Sequence, residues 1–432
     1  MKKIISPKVR PILILVFQVL TGATFIFSGF VKAVDPVGFA IKIQDYLTSF
    51  GADIFIPMAF PVAVVLSTLE FLLGINMLLG MHVKTTYILT LIFMAVMTPL
   101  TFYLALFNPV SDCGCFGEAL IISNWATFWK NIVLSAMVIF VFIFRKNVKS
   151  PYSEKTQWLT SFSSIIFIVG IALIGYRHLP ILDFRPYKIG TNIPEAMKLP
   201  EGAPQDEYQS VYIYKKNGVE KKFDRLEDAP VGDSTWTFVD AGHTLIKKGA
   251  QPLIHDFSIV EADTDEDITD DVLHSDRYIF LLISEDLRKA NIDHIDNIND
   301  IYDYAKENGY GFYCLTASTP EQISRWANFT GAEYPFCKTD ETTLKTILRS
   351  NPGLMLIKNG TIYNKWHYND FPDESELRLE PLDKSPLGQI ATPHPKSVIL
   401  MVSISFVVLL LLVFGLDKLA LYISARRRKT PI

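Results

Sequence analysis

The chain has 432 residues, 49% of them hydrophobic, and a formal net charge of −4 at pH 7. This nearly neutral balance gives no argument for a nucleic-acid partner. The hydrophobic residues fall into blocks of about twenty, the length that a helix needs to cross a bilayer. The composition therefore excludes a purely soluble protein and indicates an integral membrane protein with one large polar domain.

Six apolar blocks predict membrane-spanning helices. The basic residues before the first block imitate a signal peptide, but the apolar stretch continues to about Val31 without a small-residue cleavage site, so we predict a retained helix. The predicted spans cover residues 11–31, 56–80, 85–107, 124–144, 159–176 and 397–422.

The distribution of lysine and arginine predicts the orientation, because these residues resist translocation. With six spans, four groups fall on one side, which we assign to the cytoplasm: Lys2, Lys3, Lys8 and Arg10; Lys84; Arg145, Lys146, Lys149 and Lys155; Arg426, Arg427, Arg428 and Lys429. Lys32 and Lys42 fall on the other side. We therefore predict a bacterial inner-membrane protein in membrane lipid, with cytoplasmic termini and with the loops 32–55 and 108–123 and the domain 177–395 in the periplasm.

All four cysteines fall in these outward segments, where disulfides persist. Two of them are separated by one glycine in Asp112-Cys113-Gly114-Cys115-Phe116-Gly117-Glu118. A disulfide between them closes a very small ring, which glycine permits and which is easily reduced. Exchange is therefore favoured, while a structural pair or free thiols remain open. The Asp112 carboxylate disfavours a thiolate, and metal binding is disfavoured because zinc wants four ligands and no histidine lies nearby.

Together with further motifs, this loop resembles the DoxX/MauE membrane family. The other motifs are Phe27-Ser28-Gly29-Phe30-Val31-Lys32-Ala33-Val34-Asp35-Pro36, Leu69-Glu70-Phe71-Leu72-Leu73-Gly74 and Trp129-Lys130-Asn131. The resemblance covers residues 8–146 and implies an all-α transmembrane four-helix bundle, similar in outline to DsbB and vitamin K epoxide reductase. It implies disulfide formation or maturation of a partner by Cys113 and Cys115. A quinone cofactor follows by analogy only, because those two enzymes carry Cys-x-x-Cys.

Glu70 lies well inside the second predicted span. A carboxylate at membrane depth is costly, so we expect it to face the bundle interior and to have a partner or stay protonated. A proton or quinone role and a structural hydrogen bond both remain open. Lys130 lies near the outer end of the fourth span, where a lysine can snorkel without any special function.

The outward domain begins with a β-rich lead-in, residues 177–250. Asn217-Gly218 between the runs 210–214 and 220–223 predicts a hairpin, and residues 234–239 predict another strand. Residues 251–383 then alternate between predicted strands at 278–283, 311–315, 354–357 and 361–366 and predicted helices at 294–307, 319–329 and 340–348. The acidic stretch 261–271 lacks the glycine and glutamate of a calcium loop, so we interpret it as a solvated loop.

This order of elements resembles an α/β thioredoxin-like domain of the TlpA and peroxiredoxin-related branch. The resemblance implies that Pro352 is the cis proline beside the active site. The position of the usual Cys-x-x-Cys reads Ser284-Glu285-Asp286-Leu287-Arg288-Lys289, which excludes an ordinary thioredoxin reaction. The segments of Cys314 and Cys337 lie side by side in TlpA-like domains, so a redox or disulfide pair and two buried thiols both remain open.

The predicted architecture is therefore multi-domain. It comprises the bundle 8–146, a fifth membrane helix 159–176, the lead-in 177–250, the thioredoxin-like domain 251–383, a proline-rich tether 384–396 and a last membrane helix 397–422. Two functions follow. The first is thiol–disulfide exchange with a periplasmic protein partner, linked to quinone. The second is a non-catalytic, membrane-anchored assembly factor or complex subunit that binds a partner through its outward domain.

Overall fold

A computed structural model describes residues 6, 8–110, 112–199, 202–204, 207–216, 218–225, 228–231, 233, 235–247, 249–390 and 395–429. Several features of the sequence analysis fall outside the described residues. They are Lys2 and Lys3 of the first basic group, Ser111 before the cysteine loop, Asn217 of the predicted hairpin turn, Ser234 at the start of a predicted strand, and residues 391–394 of the predicted tether.

Within the described part of the chain, six helices are long and apolar enough to cross a membrane, which confirms the prediction of several membrane helices. Their bounds are Arg10–Val34, Asp53–Leu78, Val83–Phe107, Asn124–Ile143, Gln157–Arg177 and Lys396–Arg426. Each coincides with one predicted span to within a few residues. We label the α-helices of this region α1 (Arg10–Val34), α2 (Pro36–Ser49), α3 (Ala59–Leu78, after a 3-10 helix Asp53–Met58), α4 (Val83–Phe107), α5 (Asn124–Ile143) and α6 (Gln157–Arg177).

The helix α2 lies in the segment that the sequence analysis treated as a loop, residues 32–55. Its start is encoded locally, since Asp35 caps the helix by accepting a hydrogen bond from the Gly38 amide at 2.8 Å, and Pro36 occupies the first helical position. The sequence analysis also assigned Lys32 to this outward loop. The structure instead places Lys32 in the last turn of α1, buried among the helices.

Helices α1 and α3 approach each other closely because glycines line their contact. A Cβ atom on Gly29 would lie 2.4 Å from the backbone nitrogen of Phe71, and one on Gly74 would lie 2.6 Å from the backbone nitrogen of Ile26. Small residues allow membrane helices to pack backbone against backbone, which lipid-facing apolar residues alone cannot enforce. This contact sets the separation between the polar side chains that the two helices carry.

Replacing Gly29 with alanine should therefore separate α1 from α3. Overpacking of this kind costs about 1–3 kcal/mol, so we expect a lower thermal unfolding midpoint of the purified protein in detergent. Gly170→Ala is the matched control, because no atom lies within 4 Å of a Cβ built on Gly170 in α6. Equal midpoints for the two variants would contradict this account of the helix contact.

After α6, the described residues contain six short or medium helices, the last membrane helix and nine strands. The helices are α7 (Ile193–Ala196), α8 (Thr269–Leu273), α9 (Ile295–Glu307), α10 (Pro320–Thr330), α11 (Glu341–Ile347), α12 (Glu374–Leu379) and the last membrane helix α13 (Pro395–Lys429). The strands are β1 (Glu207–Lys216), β2 (Val219–Phe223), β3 (Thr237–Lys247), β4 (Val260–Glu261), β5 (Tyr278–Ser284), β6 (Gly311–Thr316), β7 (Phe336–Lys338), β8 (Gly353–Lys358) and β9 (Thr361–His367).

Six strands form one mixed sheet in the order β4-β7-β6-β5-β8-β9. Strand β6 runs parallel to β5 and β7, whereas β8 is antiparallel to β5 and β9. All seven residues of β5 are buried, as expected for a central strand covered on both faces. One face packs against α9, α10 and α12, and the other against α8, α11 and a segment before the sheet. The expectation of an α/β domain after the membrane helices is thus confirmed.

Two boundaries of the sequence analysis differ from the packing. Tyr187 and Ile193, in the predicted lead-in, belong to the hydrophobic core of the six-stranded sheet, whereas β1, β2 and β3 form a separate antiparallel sheet in the order β2-β1-β3. The first part of the predicted tether is also folded onto the domain. Gly388 is buried, and its carbonyl accepts a hydrogen bond from the Tyr278 hydroxyl at 3.0 Å.

Ion pairs attach the outward domain to the end of α1. Arg349 lies 3.0 Å from the carboxylate of Asp35. Burial acts to raise the pKa of Asp35, but the positive charges of Arg349 and Arg185 outweigh it, so this pKa lies below its usual value. The domain therefore contacts the residue that also caps α2.

Candidate functional site

The cysteine loop between α4 and α5 needs two left-handed glycines. Gly114 has φ +63° and Gly117 has φ +52°, a region that favours glycine. The Gly117 amide donates to the Gly114 carbonyl at 3.1 Å, and the Gly114 amide donates to Asp112 at 2.8 Å. The glycine between the two cysteines thus turns the chain sharply enough to keep both thiols in one small loop.

The loop reaches into the membrane bundle. The Cys115 carbonyl accepts a hydrogen bond from the Ser28 hydroxyl at 2.7 Å. Ser28 lies six residues before the end of α1 at Val34, which at 1.5 Å per residue is roughly 9 Å inside the helix. Non-helical backbone at such depth is tolerated only when protein surrounds it, and Cys113 and Cys115 are only 5% and 8% exposed.

A buried ion pair lies beneath the loop. The Lys32 ammonium is 2.7 and 2.8 Å from the two carboxylate oxygens of Glu70, and the Ser28 hydroxyl is 2.6 Å from the same carboxylate. Lys32 is 2% exposed and Glu70 is 4% exposed. The predicted placement of Glu70, facing the bundle interior with a partner, agrees with this geometry. Ser28 joins the pair to the cysteine loop, because its hydroxyl contacts both Glu70 and the Cys115 carbonyl.

A small cavity of about 30 Å³ connects these groups inside the bundle. Its polar lining includes Ser28, Lys32, Glu70, Lys130 and Asn131, together with Cys115. Its apolar lining consists of Phe25, Phe93, Met94, Met97, Phe116 and Leu134. The ammonium of Lys130 lies 4.2 Å from the centre of the Phe116 ring, so this lysine points toward the loop and not only toward the membrane surface.

The two thiols have different acidities although they are only two residues apart. A hydrogen bond from the Cys113 thiol lowers the pKa of Cys115 to about 7; burial opposes this effect, and the charges of Lys130 and Lys32 support it. The same hydrogen bond and burial raise the pKa of Cys113. Cys115 is therefore the thiol of the pair that forms a thiolate more readily, and thiolates are the reactive form of cysteine. The Asp112 carboxylate, expected to oppose a thiolate, is paired with Lys42 at 2.9 Å.

Helix α2 covers the loop on its outer side. The Tyr46 hydroxyl donates to the Cys113 carbonyl at 2.5 Å, and Lys42 holds Asp112. A Cβ on Gly114 would lie 2.8 Å from Cγ of Lys42, so α2 rests directly on the loop. The Cys113 carbonyl lies under Tyr46 of α2, and Cys115 is the cysteine that lines the bundle cavity.

The acidity of Cys115 leads to a pH-dependent prediction. Alkylation of Cys115 by iodoacetamide, followed by peptide mass spectrometry, should rise with a midpoint near pH 7, because the reactive thiolate forms there. Cys113→Ala removes the hydrogen bond that lowers this pKa and should move the midpoint to higher pH. Lys130→Gln should move it in the same direction.

The control for that measurement is Lys84→Gln, at the far end of α4, which should leave the midpoint unchanged. A Cys115 midpoint in the ordinary thiol range in the unmodified protein would contradict the assignment of Cys115 as the thiolate.

The cover formed by α2 yields a second prediction. Lys42→Ala removes the contact with Asp112 and should increase the alkylation rate of Cys113 at a fixed pH, because the loop becomes accessible. Loss of an exposed or half-exposed ion pair costs only about 0–1 kcal/mol, so the unfolding midpoint should change little. An unchanged Cys113 rate would show that α2 does not limit access.

The second cysteine pair is not brought together. In the ladder between β6 and β7, Cys314 is opposite Phe336 and Cys337 is opposite Leu315. Neighbouring positions on a strand point to opposite faces, so Cys314 lies in one core and Cys337 in the other. Of the two alternatives that the sequence left open, this geometry favours two separate buried thiols over a redox or disulfide pair. Burial raises the pKa of both, that of Cys337 to about 12.

The predicted thioredoxin-like site faces the bundle. The Asn351–Pro352 peptide bond is cis. The Asn351 side chain accepts from Ser284 at 2.6 Å and donates to the Asp286 carbonyl at 2.9 Å, which ties this turn to the end of β5. A cleft of about 600 Å³ separates it from α2 and from Phe60 of α3. No cysteine lies among the described residues that line this cleft.

Sequence reasoning missed Lys32 and Ser28 as site residues and assigned no function to Lys130. The sequence contained one signal of this ion pair. Lys32 lies at the end of an apolar helix, and the second span contains a single carboxylate. Ser28 and Lys32 are four residues apart, so they share one helix face. Among the described residues, no group of three or more histidine, cysteine, aspartate or glutamate side chains is placed to hold a metal ion.

Two segments match known families. Residues 10–144 match the family described as methylamine utilisation protein MauE, and residues 208–248 match a domain of unknown function (DUF8463). The sequence has no significant match among curated proteins.

Two solved structures are similar to part of the chain. The solution structure of a candidate protein disulfide isomerase from Bacteroides thetaiotaomicron has a TM-score of 0.22 and 19% identity, over 29% of this chain and 80% of that chain. The crystal structure of an uncharacterized conserved protein from Geobacillus kaustophilus has a TM-score of 0.21 and 10% identity, over 26% of this chain and 64% of that chain. Similarities this weak carry no argument about function.

The predicted resemblance to MauE is confirmed for one part of the molecule. The matched segment contains α1 to α5, the cysteine loop and the Lys32–Glu70 pair. The remaining two thirds of the chain lie outside the match. The chain is therefore a multi-pass membrane protein that is similar to the MauE family over residues 10–144.

Proposed function

We propose that the chain is an inner-membrane thiol–disulfide oxidoreductase in which Cys113 and Cys115 exchange electrons with a periplasmic protein. The observation that carries the proposal is a two-cysteine loop that reaches into the bundle, where a hydrogen bond from Cys113 lowers the pKa of Cys115. A disulfide that only stabilises the fold does not need an acidic thiol. A cysteine pair that exchanges electrons reacts through a thiolate, so an acidic thiol favours exchange.

The proposal includes a direction and an acceptor. A reduced partner gives its two thiol protons and two electrons to the Cys113–Cys115 disulfide, which becomes a dithiol as the partner becomes a disulfide. The dithiol then passes two electrons and two protons to a quinone, giving a quinol. The position of Cys115 on the bundle cavity supports a lipophilic acceptor, and the position of Cys113 under α2 supports an aqueous partner.

The location follows from the basic residues at the ends of the membrane helices. Lysine and arginine stay on the cytoplasmic side, which assigns the cysteine loop and the outward domain to the periplasm. The proposed domain boundaries remain those of the sequence analysis, with residues 179–197 added to the α/β domain because Tyr187 and Ile193 lie in its core.

We assign a docking role to the outward domain. Its order of central strands, β6-β5-β8-β9 with β8 antiparallel, supports a thioredoxin-like fold. Its own redox chemistry is disfavoured, because Cys314 and Cys337 point to opposite faces and residues 285–289, directly after β5, contain no cysteine. Pro352 and the turn around it belong to the surface that faces the bundle, so the domain acts next to the dithiol and not as a separate enzyme.

The test uses the purified full-length protein in lipid nanodiscs, with dithiothreitol as the electron donor and a soluble ubiquinone analogue as the acceptor. We expect quinone reduction that is lost in Cys113→Ser and in Cys115→Ser. Cys314→Ala is the control and should retain activity, since this thiol is buried in the outward core.

A second candidate function is supported by the outward domain alone. A domain without redox cysteines, seated on a membrane bundle, fits a non-catalytic assembly factor that binds one partner. In that case a variant lacking all four cysteines would still copurify with its partner, and no quinone reduction would occur in the unmodified protein. Cysteine-dependent quinone reduction would exclude this reading.

A further inference from the structure

We propose that Glu70 is the proton acceptor and donor of the Cys113/Cys115 dithiol, acting through the cavity that it shares with Cys115. This inference rests on the proposed function and adds a catalytic residue to it. It assigns a reaction step to a carboxylate in the middle of a membrane helix.

The cavity supplies the path between sulfur and carboxylate. Its volume of about 30 Å³ exceeds the roughly 10–15 Å³ that one water needs. A water also needs two to four polar partners, and Glu70, Cys115, Lys130 and Asn131 all line the space. A water held by these groups connects the thiol to the carboxylate by hydrogen bonds.

The groups around Cys115 indicate that Glu70 is the proton acceptor. Helix α1 contributes Ser28 and Lys32, α3 contributes Glu70, and α5 contributes Lys130 and Asn131, while Cys113 lies in the loop itself. Charged lysines have no lone pair to accept a proton. Among the described residues that line the cavity, Glu70 is the one carboxylate. Asp112 is held by Lys42 on the side of the loop that α2 covers.

Helix packing alone does not account for the ion pair. A buried pair often stabilises a fold no better than apolar residues of similar size, because both charges lose their hydration. Helices α1 and α3 are already joined by the backbone contacts at Gly29 and Gly74. Ionisable residues at membrane depth mark proton and substrate pathways in many membrane proteins, and this pair lies directly beneath an acidic thiol.

The step balances as follows. Two S–H bonds break, one S–S bond forms, and the quinone gains two electrons and two protons to become a quinol with two new O–H bonds. Glu70 takes the proton of Cys115 as its sulfur is oxidised and delivers it to one quinol oxygen. The carboxylate, again ionised, takes the proton of Cys113 and delivers it to the other oxygen.

The experiment compares Glu70→Gln, Glu70→Asp and the double variant Lys32→Gln/Glu70→Gln in the nanodisc quinone-reduction assay across pH. Loss of a general acid–base group lowers a rate by roughly 10²–10⁴-fold, so we expect at least a 100-fold loss for Glu70→Gln. We expect a smaller loss for Glu70→Asp, which keeps the carboxylate.

The double variant separates chemistry from folding, because it removes both charges and leaves neither lysine nor glutamate buried alone. Its unfolding midpoint should show that it is folded, and its rate of quinone reduction should be as low as that of Glu70→Gln. Ser67→Ala, also buried on α3 but outside the cavity, is the matched control and should keep the unmodified rate. A folded double variant with the unmodified rate and pH profile would overturn the inference.

Failure of the proposed function gives a different result. In that case the unmodified protein shows no cysteine-dependent quinone reduction, and the Glu70 variants have no rate to change. Activity that requires both cysteines but not Glu70 would overturn only the assignment of Glu70.

Discussion

The close approach of α1 and α3 is the constraint on which the rest of the site depends. Gly29 and Gly74 let the two backbones touch, and this separation allows Lys32 of one helix to reach Glu70 of the other at 2.7 Å. Any side chain larger than hydrogen at either glycine would part the helices. The same contact fixes Ser28, whose hydroxyl holds the cysteine loop through the Cys115 carbonyl.

The four cysteines show how surroundings set the chemistry of one side chain. Cys115 shares a small polar cavity with two lysines and receives a hydrogen bond from its neighbour, and its pKa falls. Cys314 and Cys337 lie in apolar cores on opposite faces of a sheet, and their pKa values rise. The first environment favours a thiolate, and the second favours inert, buried thiols.

The outward domain and the bundle form one arrangement around α2. Arg349 of the domain holds Asp35, and Asp35 begins α2, which in turn covers the cysteine loop with Lys42 and Tyr46. The domain and the cover of the dithiol are therefore connected through Asp35 and α2 by contacts of hydrogen-bond length. Under the proposed function, this arrangement would place a domain without its own redox pair in contact with the helix that covers the dithiol.

The sequence by itself determined the membrane helices, the two-cysteine loop and the presence of a carboxylate in the second span. Length, hydropathy and the Cys-Gly-Cys spacing are local properties of the sequence, and they do not depend on how the helices pack. Strand periodicity likewise predicted the central strands of the outward domain. The start of α2 was also encoded locally, by Asp35 and Pro36, although the segment was interpreted as a loop.

Only the tertiary structure decided which polar groups meet. The partner of Glu70 is 38 positions away in the chain, and Ser28 is 87 positions from Cys115. No local pattern encodes such distances, because they result from the packing of α1 against α3 and from the depth of the loop. The same is true of Cys314 and Cys337, where a one-residue difference in register, invisible in the sequence, places the two thiols on opposite faces of the sheet.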